Sequence, residues 1–593
     1  MKFPYGICDF YDIVTSGYFY VDRTGRIPAI EDAGKHLLFL RPRRFGKSLL
    51  LSMLENYYDV AKADEFETLF GHLAVGKNPT GQCSKYFVMN WDFSAVSPQG
   101  DSEQIRIFLH NHINGCLEIF LARYRNILDY DIQLNDDALR SFQSVLAAVQ
   151  ASPYKLYLLI DEYDNFANEI MMGGQPDSQQ RYQNVLYGEG ALKTVFKAVK
   201  SATKGLGLDR AFITGVSPVV LSDITSGHNI AENISLFSVF SDLCGFRETD
   251  ISDALDRVIK DCRIPEDKTK EALHMMRAFY NGYGFGYQVS EFIYNPTLVL
   301  YFLKAFQRDC QYPRRILDTN LAMDKNKINY ISRLPHGEQV ILNALEDTQV
   351  SIAELADRFG VEDMLSPSKD TTFMASLLYY FGVLTLTDRR TELGELILKI
   401  PNLVIRKLYA ENFRETLLPD FQDKEDVREV ARTFYSSGNI RPLCDFMERR
   451  YFRVLDNRDY RWANELTIKT AFLTLLFNDT FYIMDSEPAL ERKYADMIMI
   501  VRPDMRQYKL LDFLIEFKYV NLKKNNLSSD KVRKMSEKEL SSLSLVKEKM
   551  AESEAKLKEY RLLLDKMYGD VLRLKVFSVV AVGFERIVWK EES

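Results

Sequence analysis

The chain has 593 residues, of which 46% are hydrophobic, 12% aromatic and 27% charged, and its formal net charge is −7. This length exceeds a single hydrophobic core, so several domains are expected, and the apolar and aromatic content excludes extensive disorder. The negative balance excludes the overall basic footprint of a small nucleic-acid-binding protein, so any such contact must come from local patches.

The sequence carries no targeting or membrane signal. No apolar run is long enough for a membrane helix, and the N-terminus lacks the basic-then-apolar pattern of a secretory signal. We therefore expect a cytoplasmic protein without a membrane partner. The seven cysteines are widely spaced and include no Cys-x-x-Cys pair, so we expect reduced, mostly buried thiols and neither a zinc site nor a disulfide framework.

Residues 1–245 alternate short apolar strands with helical stretches, a pattern typical of an α/β domain with a largely parallel sheet. Its predicted strands are HLLFL at 36–40, KYFVMNWD at 85–92, KLYLLID at 155–161 and AFITGV at 211–216. Several of these strands end in a polar or small residue. That end lies at the carboxyl edge of an open α/β sheet, where ligands bind.

A phosphate-binding loop is predicted after the first strand, in LLFLRPRRFGKSLLLSML. Gly46 permits close approach of the backbone to the phosphates, Lys47 neutralises their charge, and Ser48 ligates Mg²⁺ at the start of a helix. Arg41 and Pro42 stand where the usual pattern has its first glycine. The Gly-Lys-Ser triplet alone could arise by chance at a strand-to-helix turn, so the prediction needs a second motif.

That second motif is KLYLLIDEYDNF, an apolar strand that ends in Asp161 and Glu162. In this arrangement the aspartate holds the metal through Ser48 or water, and the glutamate polarises the attacking water. The segment AFITGVSP then ends in Thr214 and Ser217, which either contact the γ-phosphate or the lytic water, or are ordinary strand caps. The three elements together predict an ATP site in which Glu162 is catalytic.

The rest of the chain divides into further predicted regions. Residues 246–334 are helical and lid-like, and residues 335–401 predict helices, among them SIAELADRFG, followed by a hairpin, in an order that resembles a winged helix. Residues 402–455 predict a helical connector. Residues 456–593 predict a second α/β unit with a helix, ANELTIKTAFLTLLF, a strand hairpin and a last strand. Within it, residues 521–560 lack Gly and Pro, which predicts a solvated helix or helical hairpin.

The predicted hairpin carries a second set of functional residues. Asp496 opens its first strand, and Glu516 and Lys518 lie near the end of the next. An antiparallel pairing places Asp496 opposite Glu516, and the side-chain period of two puts Glu516 and Lys518 on one face. This set suits metal-assisted phosphodiester cleavage, with Asp496 and Glu516 as catalytic metal ligands and Lys518 orienting or activating water. The alternative is an ion pair on a solvated sheet face.

Segments along almost the whole chain resemble the AAA-ATPase-like proteins of bacteria and archaea that carry a C-terminal nuclease-like domain of the PD-(D/E)XK superfamily. These segments are YFYVDRTGRIPAI, RPRRFGKSLLLSML, LLIDEYDN, FITGVSPV, YNGYGF, YNPTLVLYFL and LLYYFGVLTL. The family commonly lacks the first loop glycine, so the resemblance implies that Arg41 does not argue against ATP binding. It also implies that Arg43 and Arg44 lie near the phosphates, and Tyr20 and Asp22 near the nucleotide or the loop.

The same resemblance implies a D…E-x-K metal core in the C-terminal unit, with Glu465 on the preceding helix as an additional metal ligand. Relatives tend to place a glutamine on the following helix, where this chain has Lys558, and this departure bears on the details of the site. No arginine finger can be assigned, although Arg210 and Arg247 are candidates by position.

The sequence therefore predicts an α/β multidomain protein with an N-terminal P-loop AAA-type α/β domain, a helical and winged-helix-like middle, and a C-terminal PD-(D/E)XK-like α/β domain. The expected cofactors are ATP and Mg²⁺, with Mn²⁺ as an alternative, and the expected partners are nucleic acid, with DNA favoured, and further copies of the chain in a homo-oligomer. The predicted function is an ATP-dependent or ATP-regulated nuclease, for which a role in defence against mobile elements would be suitable. The alternatives are an NTP-switched binding protein with an inactive nuclease-like domain, and an ATPase whose C-terminal domain only supports oligomerisation.

Overall fold

The computed structural model describes residues 1–128, 132–172, 190–218, 231–265, 268–316, 322–334, 337–345, 350–357, 359, 369–418, 420–453, 465–485, 489–490, 493–494 and 496–592. Its α-helices are α1 (Phe10–Thr15), α2 (Ile27–Ala33), α3 (Lys47–Tyr58), α4 (Phe66–Phe70), α5 (Ser102–Arg123), α6 (Ala138–Ala151), α7 (Asn165–Met172), α8 (Ala191–Ala202), α9 (Glu248–Asp261), α10 (Lys268–Tyr280), α11 (Pro296–Asp309), α12 (Ala322–Ser332), α13 (Gly337–Leu345), α14 (Thr371–Tyr380), α15 (Leu403–Leu417), α16 (Phe421–Ser437), α17 (Arg441–Phe446), α18 (Glu465–Leu476), α19 (Ser529–Lys534), α20 (Glu537–Ser542) and α21 (Ser544–Tyr568). Its strands are β1 (His36–Leu40), β2 (Tyr86–Asp92), β3 (Lys155–Asp161), β4 (Leu208–Gly215), β5 (Glu232–Asn233), β6 (Val350–Ile352), β7 (Thr385–Arg390), β8 (Leu396–Lys399), β9 (Tyr482–Asp485), β10 (Ala489–Leu490), β11 (Lys493–Tyr494), β12 (Met497–Val501), β13 (Asp512–Val520), β14 (Leu574–Val582) and β15 (Arg586–Glu592). Within these ranges, no helix combines the length and the apolar character needed to cross a membrane.

The N-terminal region is built on a parallel sheet whose described strands have the order β2-β3-β4-β1-β5. Strands β1 and β3 are buried along nearly their whole length, as parallel strands covered on both faces should be. The predicted strands are confirmed, with ends that differ by three residues at most. Because β4 lies between β1 and β3, the loop after β1 meets Thr214 and Asp161 at the carboxyl edge of the sheet.

The helices α9, α10 and α11 pack around a core of their own. A disulfide joins Cys262, just after α9, to Cys310, just after α11, with 5.5 Å between their Cα atoms. The expectation of reduced thiols is therefore wrong for this pair, because two distant cysteines meet at the carboxyl ends of neighbouring helices. Among the other cysteines, Cys244 and Cys444 are buried as expected, whereas Cys8 is exposed.

The region predicted to resemble a winged helix contains α13, α14 and an antiparallel sheet whose described strands have the order β6-β8-β7. The predicted helix SIAELADRFG is wrong over its first residues. Ser351 and Ile352 belong to β6 and pair with Ile397 and Leu396 of β8, which buries Ile352. Positions 358 and 360 of that predicted helix lie outside the described residues.

The C-terminal region is built on a mixed sheet whose described strands have the order β15-β14-β13-β12-β9. Strands β12 and β13 form the predicted antiparallel hairpin, and β13 and β14 run parallel. The predicted last strand is two strands, because the chain reverses at Gly583 and β15 pairs antiparallel with β14. The charged segment 521–560 is helical as predicted, but Val532, Leu540 and Val546 are buried against the sheet, so it covers the sheet on one face.

Candidate functional site

The predicted phosphate loop between β1 and α3 contains two residues with left-handed backbone. Gly46 has a φ of 90° and Arg44 a φ of 68°. A Cβ at position 46 would meet nothing within 4 Å, so glycine is favoured there by its backbone conformation and not by packing. Helix α3 begins at Lys47, so the free N–H groups of its first turn face the loop and suit an anionic ligand.

Asp161 lies at the centre of a hydrogen-bond cluster at the end of β3. Its Oδ2 accepts a hydrogen bond from Ser48 Oγ at 2.5 Å, and its Oδ1 accepts one from Thr214 Oγ1 at 2.5 Å. The Glu162 N–H donates to the same Oδ1 at 3.0 Å. Burial raises the pKa of Asp161, and the charge of Lys47 and the hydrogen bonds from the two hydroxyls offset only part of this effect. The predicted residues Ser48 and Thr214 therefore converge on the carboxylate of Asp161.

Glu162 forms an ion pair with the lysine of the loop. Lys47 Nζ lies 3.1 Å from Glu162 Oε1, and it also donates to the carbonyl oxygens of Arg41 at 3.2 Å and Pro42 at 3.4 Å. The backbone of Glu162 is left-handed, with a φ of 50°, a strained conformation of the kind that clusters at functional sites. Burial raises the pKa of Glu162, but the charges of Lys47 and Arg43 lower it by a larger amount, so the net pKa lies below the ordinary value.

A cavity of about 310 Å³ opens beside the loop. Its lining includes the polar residues Lys47, Ser48 and Glu162 and the apolar residues Phe246 and Leu300. Such a mixed lining suits a nucleotide, because the phosphates need cations and N–H donors while the base is flat and mostly apolar. The helical region that follows the parallel sheet thus contributes part of the cavity wall.

The predicted arginines and Tyr20 occupy different parts of this site. Arg44 and Tyr20 line the cavity. Arg43 points along α7, where its guanidinium donates to Asn165 Oδ1 and lies 3.7 Å from Glu169 Oε1. A direct contact between Arg43 and phosphate therefore stays a prediction.

Asp22 and Ser217 both make hydrogen bonds within the chain. Asp22 accepts from backbone N–H groups, and Ser217 donates to a buried carboxylate. Asp22 accepts hydrogen bonds from the N–H groups of Thr24 at 2.8 Å and Ala74 at 2.7 Å, and it does not line the cavity. Ser217 Oγ donates to Asp164 Oδ2 at 2.8 Å. Of the two residues proposed at the end of β4, only Thr214 therefore reaches the Asp161 cluster.

The two candidate arginine fingers make contacts within the chain. Arg210 precedes Thr214 on β4 and donates to the carbonyl oxygen of Gly34 at 3.2 Å. Arg247 Nη2 lies 2.6 Å from Asp242 Oδ2. Their role as arginine fingers is therefore still only a prediction.

Arg41, at the position of the pattern's first glycine, points away from the cavity into the core. Its fully buried guanidinium donates to the carbonyl oxygens of Leu40, Ser235 and Phe240, each at 2.8 Å, and lies 4.1 Å from the ring centroid of Phe285. Burial lowers its pKa to about 10, so it stays charged at neutral pH. Arg41 therefore supports the loop from the core side.

We expect Arg41→Met to lower the free energy of unfolding by about 2–4 kcal/mol, because three carbonyl groups lose a buried charged donor. Equilibrium unfolding in urea would measure the change. The control is Arg140→Met, since the Arg140 side chain is 75% exposed and its loss should change stability by about 0.5 kcal/mol or less. Equal stabilities of the two variants would contradict the supporting role of Arg41.

We expect Asp161→Asn to flatten the dependence of stability on pH. The folded-state pKa of Asp161 lies above the unfolded value of about 3.9, so the wild-type free energy of unfolding falls as the pH rises from about 4 through the folded pKa. The neutral asparagine has no such contribution. Thermal unfolding from pH 4 to pH 8 would test this, with the exposed Asp64→Asn as control, and a steeper fall in Asp161→Asn than in wild type would contradict it.

A second polar cluster lies where the β12–β13 hairpin places Asp496 beside Glu516, as its register predicts. Asp496 Oδ2 accepts a hydrogen bond from the Phe517 N–H at 2.8 Å. Lys518 Nζ lies 3.0 Å from Glu516 Oε1 and 2.8 Å from Glu465 Oε1. The four side chains predicted for this site are therefore brought together.

Glu516 is fully buried, and its Oε2 has no hydrogen-bond partner among the described residues. Burial and the neighbouring Asp496 raise its pKa, although Lys518 lowers it. Burial lowers the pKa of Lys518, but Glu516 and Glu465 raise it to a value above the ordinary one. Lys518 therefore stays protonated, and it can orient a ligand or stabilise negative charge but cannot accept a proton.

The carboxylates of the two clusters can bind a divalent cation only if water or phosphate supplies further ligands. Within the described ranges, no three His, Cys, Asp or Glu side chains are grouped so that they could hold a metal by themselves. Mg²⁺ in phosphate-processing sites uses one or two carboxylates and takes its other ligands from water and phosphate. Asp496 and the unpartnered oxygen of Glu516 fit such a site, and so do Ser48 and Asp161, whereas Glu465 as a metal ligand stays a prediction.

Sequence reasoning assigned the wrong lysine on α21. Lys556 Nζ lies 2.7 Å from Glu516 Oε1, whereas Lys558 is 73% exposed and pairs with Glu554 at 2.9 Å. The helical period could have identified Lys556, because Tyr560 lies one turn after it and is buried on the face that packs on the sheet. Burial and the charge of Glu516 raise the pKa of Tyr560 to about 12.

Two comparisons with known proteins bear on this chain. Residues 4–225 match the family model described as predicted AAA-ATPase. An uncharacterized protein in the vnfD 5′ region of Azotobacter chroococcum mcd 1 is 27% identical over 312 residues, which are 51% of this chain and 52% of that protein. The chain therefore matches about half the length of this curated relative, and the family match ends before the second cluster. The N-terminal region, with its parallel sheet and phosphate loop, is thus AAA-ATPase-like.

Proposed function

We propose that this protein binds and hydrolyses ATP at the phosphate loop. The observation that carries the proposal is that Lys47, Ser48 and Glu162 line one cavity, where Lys47 pairs with Glu162 and Ser48 donates to Asp161. The AAA-ATPase-like character of residues 4–225 supports it. A bound Mg²⁺ would neutralise phosphate charge, and Ser48 and Asp161 are the residues that would hold it.

In this proposal Lys47 and Glu162 exchange partners when phosphate binds. A lysine ammonium has three donors, and Lys47 directs its donors at two carbonyl oxygens and Glu162. Phosphate oxygens compete with Glu162 for the ammonium group. Glu162 is then free to accept a hydrogen bond from the attacking water, and the nearby charge of Arg43 still favours its carboxylate form.

The direct test is the ATP turnover of the full chain with Mg²⁺, comparing wild type with Lys47→Met. We expect turnover in wild type and none above background in Lys47→Met. The matched control is Lys155→Met, because Lys155 is an exposed lysine at the far end of β3. Wild type that neither binds nor hydrolyses ATP would refute the proposal.

We infer a second activity for the cluster at Asp496, Glu516 and Lys518: metal-dependent cleavage of nucleic-acid phosphodiester bonds. The observation that favours it is the buried, unpartnered Oε2 of Glu516 beside Asp496, since a divalent cation would satisfy both carboxylates. Lys518 carries a positive charge that would stabilise the charge developing on the phosphate. Regulation of this cleavage by ATP is part of the same proposal.

Cleavage of labelled single- and double-stranded DNA and RNA with Mg²⁺ or Mn²⁺, with and without ATP, would test this activity. We expect cleavage by wild type and by Glu548→Gln, which changes an exposed residue of α21, but not by Glu516→Gln. An effect of ATP that is absent in Lys47→Met would support regulation. Nucleic-acid binding without cleavage under every condition would instead favour the NTP-switched binding protein.

A further inference from the structure

Helix α11 begins at the phosphate loop. Its N-cap Asn295 accepts a hydrogen bond from the Leu298 N–H, and Pro296 opens the first turn. The next residue, Thr297, lines the nucleotide cavity, and its Oγ1 donates to the carbonyl oxygen of Arg44 at 3.0 Å. The helix is therefore bonded directly to the loop that is proposed to bind phosphate.

The hydrogen bond from Thr297 is made to Arg44, the residue of that loop with a strained backbone. Arg44 has left-handed backbone without being a glycine, and such a conformation costs about 1–3 kcal/mol and persists only where the surroundings hold it. The hydroxyl of Thr297 is one such restraint, because it fixes the direction of the Arg44 carbonyl. A shift of the loop on nucleotide binding would therefore act on Thr297.

The body of α11 is rigid enough to transmit a shift. Its 14 residues correspond to a length of about 21 Å. Buried side chains along one face anchor it in the helical core; they are Leu298, Val299, Phe302, Leu303 and Phe306. The disulfide at Cys310 ties its end to α9.

The segment that follows α11 is held by Arg502 of the C-terminal region. Arg502 is fully buried, and its guanidinium donates to the carbonyl oxygens of Pro313 at 3.0 Å and Arg314 at 3.3 Å. Asp504 balances the charge, with 2.9 Å between Asp504 Oδ2 and Arg502 Nη2. The same guanidinium donates to the carbonyl oxygen of Asp479 at 3.0 Å, so both regions meet on one side chain.

Arg502 and Asp496 flank the same strand. Strand β12 runs from Met497 to Val501, with Asp496 directly before it and Arg502 directly after it. It lies between β13 and β9, so it is held on both edges. A displacement applied at Arg502 is therefore carried along a short, paired strand to Asp496.

We propose that α11 is a strut that couples the phosphate loop to Asp496, with Thr297 as a positioning residue of the loop and Arg502 as the anchor at the other end. The coupling rests on the proposed function, because it assigns control of the second cluster to nucleotide binding at the first. The ligand that acts on the strut is a nucleoside triphosphate. Regulation would occur through the movement of one helix, α11, within a single chain.

Amide hydrogen exchange of the full chain, with and without a non-hydrolysable ATP analogue, tests the coupling without requiring cleavage. In wild type we expect the analogue to slow exchange at residues 41–58 and to change exchange at residues 496–502. In Thr297→Val the change at 496–502 should be lost, and analogue binding should weaken roughly fivefold, the value of one hydrogen bond. Thr297→Ser keeps the hydroxyl and should restore both effects.

The controls separate the coupling from the nucleotide site itself. Thr269→Val removes a threonine hydroxyl of the same helical region whose hydrogen bond to Asp256, at 2.9 Å, is exposed to solvent, and it should behave as wild type. A change at residues 496–502 that persists in Thr297→Val would overturn the strut, and so would wild-type protection of the loop with no change at 496–502. Wild type that shows no protection at 41–58 would overturn the proposed ATP site and the strut with it.

Discussion

Glu162→Gln is expected to lower the rate of ATP hydrolysis by about 10²–10⁴-fold while ATP stays bound. Glutamine keeps the shape of the side chain but cannot accept a proton from the attacking water. The wild-type carboxylate is available at neutral pH because Lys47 and Arg43 hold the pKa of Glu162 below its ordinary value, against the effect of burial. The loss should therefore appear in kcat.

The same substitution should increase the affinity for ATP. Lys47 is paired with Glu162 at 3.1 Å, and a neutral glutamine competes less strongly with phosphate for the ammonium group. Single-turnover kinetics and equilibrium binding of a fluorescent ATP analogue would measure the two effects separately. The control is Glu118→Gln on the exposed side of α5. Wild-type turnover in Glu162→Gln would contradict the role assigned to Glu162.

Sequence alone predicted the strands and the candidate edge of the N-terminal sheet because buried parallel strands are continuous apolar runs with polar ends. HLLFL and KLYLLID are short, bounded and apolar, and they match β1 and β3 at both ends. The residues predicted for the site are close in sequence to those ends: Lys47 and Ser48 lie shortly after β1, Asp161 ends β3, and Glu162 follows it. Their convergence follows from the parallel pairing of neighbouring strands.

Contacts set by tertiary packing were beyond the sequence. Within Arg-Pro-Arg-Arg, no local signal shows that Arg41 enters the core while Arg43 bonds to α7. The hydrogen bond from Thr297 to Arg44 joins residues far apart in the chain, and the helical period of SIAELADRFG gave no hint that Ile352 pairs with a distant strand. In each case burial or pairing decided the outcome, and local propensity did not.

Lys518→Met is expected to abolish metal-dependent cleavage while nucleic acid still binds. Lys518 Nζ neutralises Glu516 and Glu465, so its removal leaves more negative charge around the Glu516 carboxylate. Binding of Mn²⁺ should therefore become tighter even though cleavage is lost. Calorimetric titration with Mn²⁺ beside a cleavage assay would separate the two effects, with the exposed Lys523→Met as control.

The stability of Lys518→Met should also depend on pH with a defined sign. Burial and Asp496 already raise the pKa of Glu516, and Lys518 opposes them, so its loss raises this pKa further. When the pKa of a carboxyl group is higher in the folded protein than in the unfolded chain, the free energy of unfolding falls as the pH rises from about 4.3 through the folded pKa. The deficit of the variant relative to wild type should therefore be larger at pH 8 than at pH 5, and thermal unfolding at both values would measure it. An equal deficit at both values would mean that Lys518 acts through packing, and its charge would then not be what balances the buried carboxylate.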